Sequence, residues 1–120
     1  MHTLIFIQNP HMIKFGKEAK YNIVEDSRRM NDLTGFQRDL LYVIAGADQP
    51  SGQDVKEEVE QYYESEINHG RLYPNLDTLV NKELAEKGQL DRRTNYYAIT
   101  DTGREKIQER REWVSQYIDF

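Results

Sequence analysis

Chemistry in this 120-residue chain is concentrated in a few guanidinium and carboxamide groups. Arg71 and Asn75 stand four residues apart, and Arg92 and Arg93 are followed closely by Asn95. A guanidinium matches O6 and N7 of guanine with paired donors, and a carboxamide matches N6 and N7 of adenine. Adjacent arginines on a turn suit phosphate oxygens or a minor groove. Catalysis is poorly provided for. His2, His11 and His69 are scattered without metal-ligand spacing, no glycine-rich phosphate loop occurs, and no nucleophile has an evident base nearby. His69 reads as a helix-start or contact residue. With no cysteine there is no disulfide, no thiolate nucleophile and no thiolate zinc site, which fits a reducing, cytoplasmic setting. The longest apolar run, Leu4-Ile5-Phe6-Ile7, is far below the roughly 20 residues that span a bilayer. The chain therefore reads as a non-enzyme with no metal, no cofactor and no membrane partner.

The elements that hold these groups follow from hydrophobic spacing. Thr34 precedes Phe36, Leu40, Leu41, Val43 and Ile44, with Gln37 placed to close a capping box, which predicts a helix to about Ala47. Asp48-Gln49-Pro50 breaks it. Ser51 and Asp54 form a second box leading into Val55, Val59 and Tyr62 or Tyr63, a helix to about Glu64 whose outer Glu57, Glu58, Glu60 and Glu64 read as a solvated face. Asn68 can cap a third helix with a stripe of Leu72, Leu76, Leu79 and Val80. Pro74 sits in its first turns, opposite Gly70 four residues back, and predicts a late start or a bend. Leu84–Gln89 and Asn95–Thr100 then read as strands around the turn Leu90–Thr94, and Asp101 or Thr102 caps a last helix from Gly103 to about Tyr117. Residues 1–33 show no sustained period and read as an extension of uncertain structure, with Met30 as an alternative start.

Three helices followed by a hairpin is the order of a winged helix, a helix-turn-helix variant whose third helix enters the major groove. The residues narrow this: Leu72-Tyr73-Pro74, Leu76 and Leu79, then Arg92-Arg93, then Tyr97-Ala98-Ile99-Thr100-Asp101-Thr102-Gly103. This pattern resembles the PadR family of transcriptional regulators over about residues 34–117. Two positions depart from it: Glu83 stands where the family often has glycine, and Asp91-Arg92-Arg93 stands where its wing tip often reads Gly-Arg-Pro. The first removes an easy left-handed helix cap, and the second keeps the charge but not the turn.

The expected fold is mainly α with a small β-hairpin: a winged helix-turn-helix at 34–100 and a C-terminal dimerisation helix at 101–120. The resemblance implies a homodimeric, sequence-specific DNA-binding regulator, usually a repressor, acting on a palindromic operator. Candidate contacts to double-stranded DNA are Asn68, His69, Arg71, Tyr73, Asn75 and Thr78 on the third helix and Arg92, Arg93 and Asn95 on the wing. Ile107, Val114 and Ile118 form a thin apolar stripe on the last helix, and Trp113, Tyr117 and Phe120 a second, aromatic line, so both faces ask for partners. A dimer cavity lined by Trp113 would suit a small aromatic effector by analogy. Acidity is the objection, since the net charge is −5. Residues 34–66 account for it with eight carboxylates against two cations, whereas residues 67–100 carry five cations against four carboxylates. Such a surface also suits a salt-rich cytoplasm. The rival reading is a winged helix used for protein interaction, in which the acidic second helix meets a basic partner.

Overall fold

The computed structural model describes residues 26–120; the Leu4–Ile7 run and the mixed stretch Lys14–Lys20 lie outside it. Side-chain caps set where the helices begin. Helix α1 is Gly35–Gly46 and helix α2 is Gly52–Tyr63, each opened by a complete capping box, Thr34 with Gln37 and Ser51 with Asp54. Helix α3 is His69–Asn81, where the Asn68 side-chain oxygen accepts from the Arg71 amide at 2.8 Å. Pro74 lies inside this helix without interrupting it. The expected late start does not occur, because the Asn68 cap fixes the first turn ahead of the proline.

Strands β1, Ala85–Gln89, and β2, Asn95–Ile99, form an antiparallel hairpin in which Gly88 faces Tyr96 and Ala85 faces Ile99. A third edge was not legible in the sequence: Ser51 bridges Tyr96, and the Tyr97 amide donates to the Pro50 carbonyl at 2.8 Å. The wing is thereby tied to the start of α2. Helix α4 is Asp101–Ser115. Its cap is Thr100 rather than Asp101 or Thr102. The Thr100 hydroxyl accepts from the Gly103 amide at 2.9 Å and donates toward the carbonyls of Glu83 and Leu84.

Ser27–Ile107 forms one compact unit, and Gln108–Phe120 falls outside it. The core of the first joins Phe36, Leu40, Leu41 and Ile44 of α1, Val55 and Val59 of α2, the α3 leucines, and Ile67, Leu84 and Tyr97. Tyr63 packs against this core, whereas Tyr62 is 82% exposed, which settles which of the two faces inward. Residues 27–33 do not behave as an appendage. Met30 and Leu33 are buried in the core, and Arg38 Nη1 donates to both of their carbonyls, at 3.2 and 2.8 Å. Two apolar residues around a single 3₁₀ turn, Met30–Asp32, leave no period for a sequence reading to detect.

In the segment Gln108–Phe120, the rings of Trp113 and Tyr117 meet edge to face with centroids 5.2 Å apart. Arg110 lies 5.8 Å from the Trp113 ring centre. Trp113, Tyr117, Ile118 and Phe120 are all exposed and Val114 is half-buried.

Candidate nucleic-acid interface

The turn from α2 into α3 is held by Glu60. Its Oε2 accepts from Lys56 Nζ and from the Ile67 amide, both at 2.8 Å. The amide bond first, and then the Lys56 ammonium, hold this carboxyl below its ordinary value. Glu60 is therefore no part of a merely solvated acidic face. Its partner Ile67 lies seven residues on, beyond the reach of a helical-face argument, while Glu57, Glu58 and Glu64 are exposed as expected.

The exposed surface of α3 begins with His69, Gly70, Arg71, Tyr73 and Pro74. The Arg71 guanidinium stands 4.0 Å from the centre of the Phe36 ring of α1, a cation–π contact that orients the side chain without neutralising it. Behind it, Tyr63 packs on Phe36 with centroids 6.1 Å apart and donates to Asp39 Oδ2 at 2.6 Å. Burial, reinforced by that carboxylate, pushes the Tyr63 phenol up to about 12.

Asn75 is placed differently from the sequence expectation. Its Nδ2 donates to the Arg71 carbonyl at 2.7 Å, and its Oδ1 accepts from Gln37 Nε2 at 2.9 Å. Both ends of the amide are engaged within the protein, and Gln37 is itself committed to the α1 capping box. The bidentate face that would read adenine is occupied. Asn68 likewise caps α3, and the Thr78 hydroxyl donates to the Pro74 carbonyl at 3.1 Å. His69 packs edge-on to Tyr73 with centroids 5.6 Å apart. The Tyr73 ring in turn lies on Gly52, where an added Cβ would stand 2.8 Å from Tyr73 Cε1.

The wing supplies the second cationic point. Asp91 Oδ1 accepts from the amides of Arg93 and Thr94, both at 2.9 Å, and the Leu90 amide donates to the Thr94 carbonyl at 2.8 Å. The amide of Arg93 is the leading cause that holds the Asp91 carboxyl below its ordinary range. A carboxylate-organised turn thus replaces the glycine and proline of the expected wing tip and leaves Arg92 and Arg93 exposed on it. Between wing and helices lies a cleft of about 360 Å³, lined by Ser51–Gln53 of the α2 start, Tyr73, Tyr97 and the wing residues Arg93–Asn95. The structure thus gathers Tyr73, Arg93 and Asn95 around one cleft. On α4, Ile107 packs against the core of its own unit.

Among the described residues no cluster of His, Cys, Asp or Glu is arranged to hold a metal ion. No helix among them is long and apolar enough to cross a membrane.

Comparison with known proteins places this arrangement. H. salinarum RosR is similar at 48% identity and a TM-score of 0.68, over 74% of this chain and 82% of that one. A RosR complex is similar at 46% identity and a TM-score of 0.71, over 79% and 83%. FabT of Streptococcus pneumoniae, solved in complex with DNA, shares the fold alone, at 20% identity and a TM-score of 0.56 over 76% and 66%. No curated protein sequence matches the chain. The profile of the transcriptional regulator PadR-like family matches residues 40–109, across the Ser51 and Asn68 caps, the Leu72-Tyr73-Pro74 triplet, the wing and the Thr100–Gly103 junction. With a winged helix that carries cationic points on its third helix and wing, and with this match over more than half its length, the chain belongs to the PadR-like family of transcriptional regulators.

Proposed function

We propose that the chain is a sequence-specific DNA-binding regulator that represses transcription as a homodimer on a palindromic operator. The observation that carries the DNA reading is the pairing of two exposed, braced cationic points on one compact unit. Arg71 is steadied by Phe36 at the start of α3, and Arg92 and Arg93 stand on a wing tip tied down by Asp91. FabT carries DNA on the same fold. Arg71 is the base reader, with His69 and Tyr73 flanking it, and Arg92, Arg93 and Asn95 are phosphate or minor-groove anchors. Asn68, Asn75 and Thr78 shape the helix that presents Arg71. Repression follows from occupancy, since a dimer seated across an operator excludes other proteins from it.

The dimer reading rests on the exposed Trp113, Tyr117, Ile118 and Phe120 beside half-buried Val114. Ile107 is left out of this seam because it packs on its own core.

A salt titration on a selected duplex and a random duplex tests the division of roles. Arg92→Ala and Arg93→Ala weaken binding to both and flatten the dependence of affinity on salt by about one unit per lost contact. Arg71→Ala costs roughly 1–3 kcal/mol on the selected duplex and little on the random one. Equal binding of both duplexes by wild type and Arg71→Ala would make the protein-interaction reading the better one.

A further inference from the structure

Tyr97 stands apart from the contacts proposed so far. It is 1% exposed and its ring belongs to the core, yet it lines the cleft between α2, α3 and the wing. Among the described residues its hydroxyl has no hydrogen-bond partner, and the oxygen is not sealed from solvent as Gln116 Oε1 is. A tyrosine buried to this degree ordinarily satisfies its hydroxyl. Burial first, and then the nearby Asp77 carboxylate, pushes the phenol up to about 12, so it remains a donor at neutral pH.

The other walls of the cleft also offer donors. Helix α2 is 12 residues long and begins at Gly52. Its Ser51 cap serves the Asp54 amide, which leaves the Gly52 and Gln53 amides without intrahelical acceptors. The Tyr73 hydroxyl lies beside Gly52, 3.0 Å from where a Cβ would stand. Arg93 contributes the positive charge on the wing side. Two carboxylates are near. Asp54 accepts from the Ser51 amide and lines the separate acidic groove of α2, and Asp77 lies 3.7 Å from Lys87 Nζ. A set of donors from two phenols, a helix start and a guanidinium matches a group that carries negative charge and only acceptors, as a phosphodiester does.

We infer that this cleft seats one DNA backbone phosphate per half-site, with the Tyr97 hydroxyl and the first amides of α2 as donors, making α2 a third anchor between reader and wing. The inference rests on the DNA-binding reading and adds to it a residue that would otherwise count only as core.

The test uses the full chain and a selected duplex in which each phosphate in turn is replaced by a neutral methylphosphonate. Tyr97→Phe removes one oxygen and keeps the ring. It binds the unmodified duplex about tenfold more weakly, the loss of one hydrogen bond to a charged group, on selected and random DNA alike. Its salt slope stays at the wild-type value because no charge is lost. At one phosphate per half-site, the methylphosphonate weakens wild type but leaves Tyr97→Phe no weaker than before. Gln53→Pro, at an exposed first-turn position, removes an unused amide without touching the core and shows the same coupling at the same phosphate. If wild type binds the selected duplex and neither variant couples to any phosphate, the site is overturned while DNA binding stands. A wild type with no affinity for any duplex overturns both.

Discussion

At Glu83 the backbone takes φ 62°, a left-handed conformation that glycine adopts freely and glutamate does not. The reason is a Schellman ending to α3: the Glu83 amide donates to the Val80 carbonyl at 2.9 Å and the Leu84 amide to the Leu79 carbonyl at 3.0 Å. The absent glycine therefore does not change the junction; it strains it. Glu83→Gly removes a penalty of roughly 1–2 kcal/mol and adds back part of it as unfolded-chain entropy. The expected net is a gain of up to about 1 kcal/mol, read as a higher urea midpoint at unchanged slope. Gly103 is the opposite case. A Cβ there would overlap the Leu84 carbonyl and crowd Ile99 Cδ1, because the first turn of α4 is drawn onto that carbonyl by Thr100. Gly103→Ala should lose roughly 3 kcal/mol, since backbone rather than a flexible side chain has to move. The Tyr97–Gly103 motif that signals the family is in this light a structural joint: Tyr97 fills the core, Thr100 caps α4, and Gly103 permits the contact.

Among the elements, the α2–α3 turn depends on one carboxylate. The Glu60 carboxyl lies below its ordinary value of 4.5 because its charged form accepts from the Ile67 amide and pairs with Lys56. A carboxyl with a lowered folded pKa stabilises fully above its unfolded value, and that contribution is lost as pH falls through the folded one. The difference in melting temperature between wild type and Glu60→Gln should accordingly be largest above about pH 4.5 and close at lower pH. A gap that stays constant from pH 7 to pH 3 would mean that the charge of Glu60 plays no part. This turn also marks what sequence could and could not reveal. The caps at Thr34, Ser51 and Asn68 were legible because each bonds a backbone amide three residues on, a fixed local spacing. The stripe Leu72, Leu76 and Leu79 was legible because burial imposes the helical period. Glu60 with Ile67, Gln37 with Asn75 and Tyr97 with Pro50 were not, since each joins different elements and follows no local period. Asn75 shows the consequence for the site: its spacing from Arg71 suited a base reader, and a partner 38 residues away redirects its amide.

For the whole molecule, the outstanding question is what covers the aromatic end of the chain. Trp113 is 52% exposed, Ile118 50% and Phe120 fully so, a concentration of apolar surface on a chain with 31% charged residues. Such patches mark association surfaces more often than free ones. The flanking Arg110, Arg111 and Glu112 supply charges of both signs for a rim. A two-fold seam through Val114 and Ile118 would also match the two-fold symmetry of the proposed operator. Ile118→Glu should break it, because a carboxylate buried there without a partner costs several kcal/mol, whereas on a free surface it costs almost nothing. Multi-angle light scattering should therefore give two chains for wild type and one for Ile118→Glu, with the circular dichroism of the variant close to that of wild type. Binding should fall with the mass, since a monomer reads one half-site and forfeits the second contact set held on the same complex. The variant should keep its weak affinity for random DNA while losing preference for the two-fold site. A wild type of single-chain mass at the concentrations used for binding would remove the seam and leave the exposed Trp113 to be explained by some other partner.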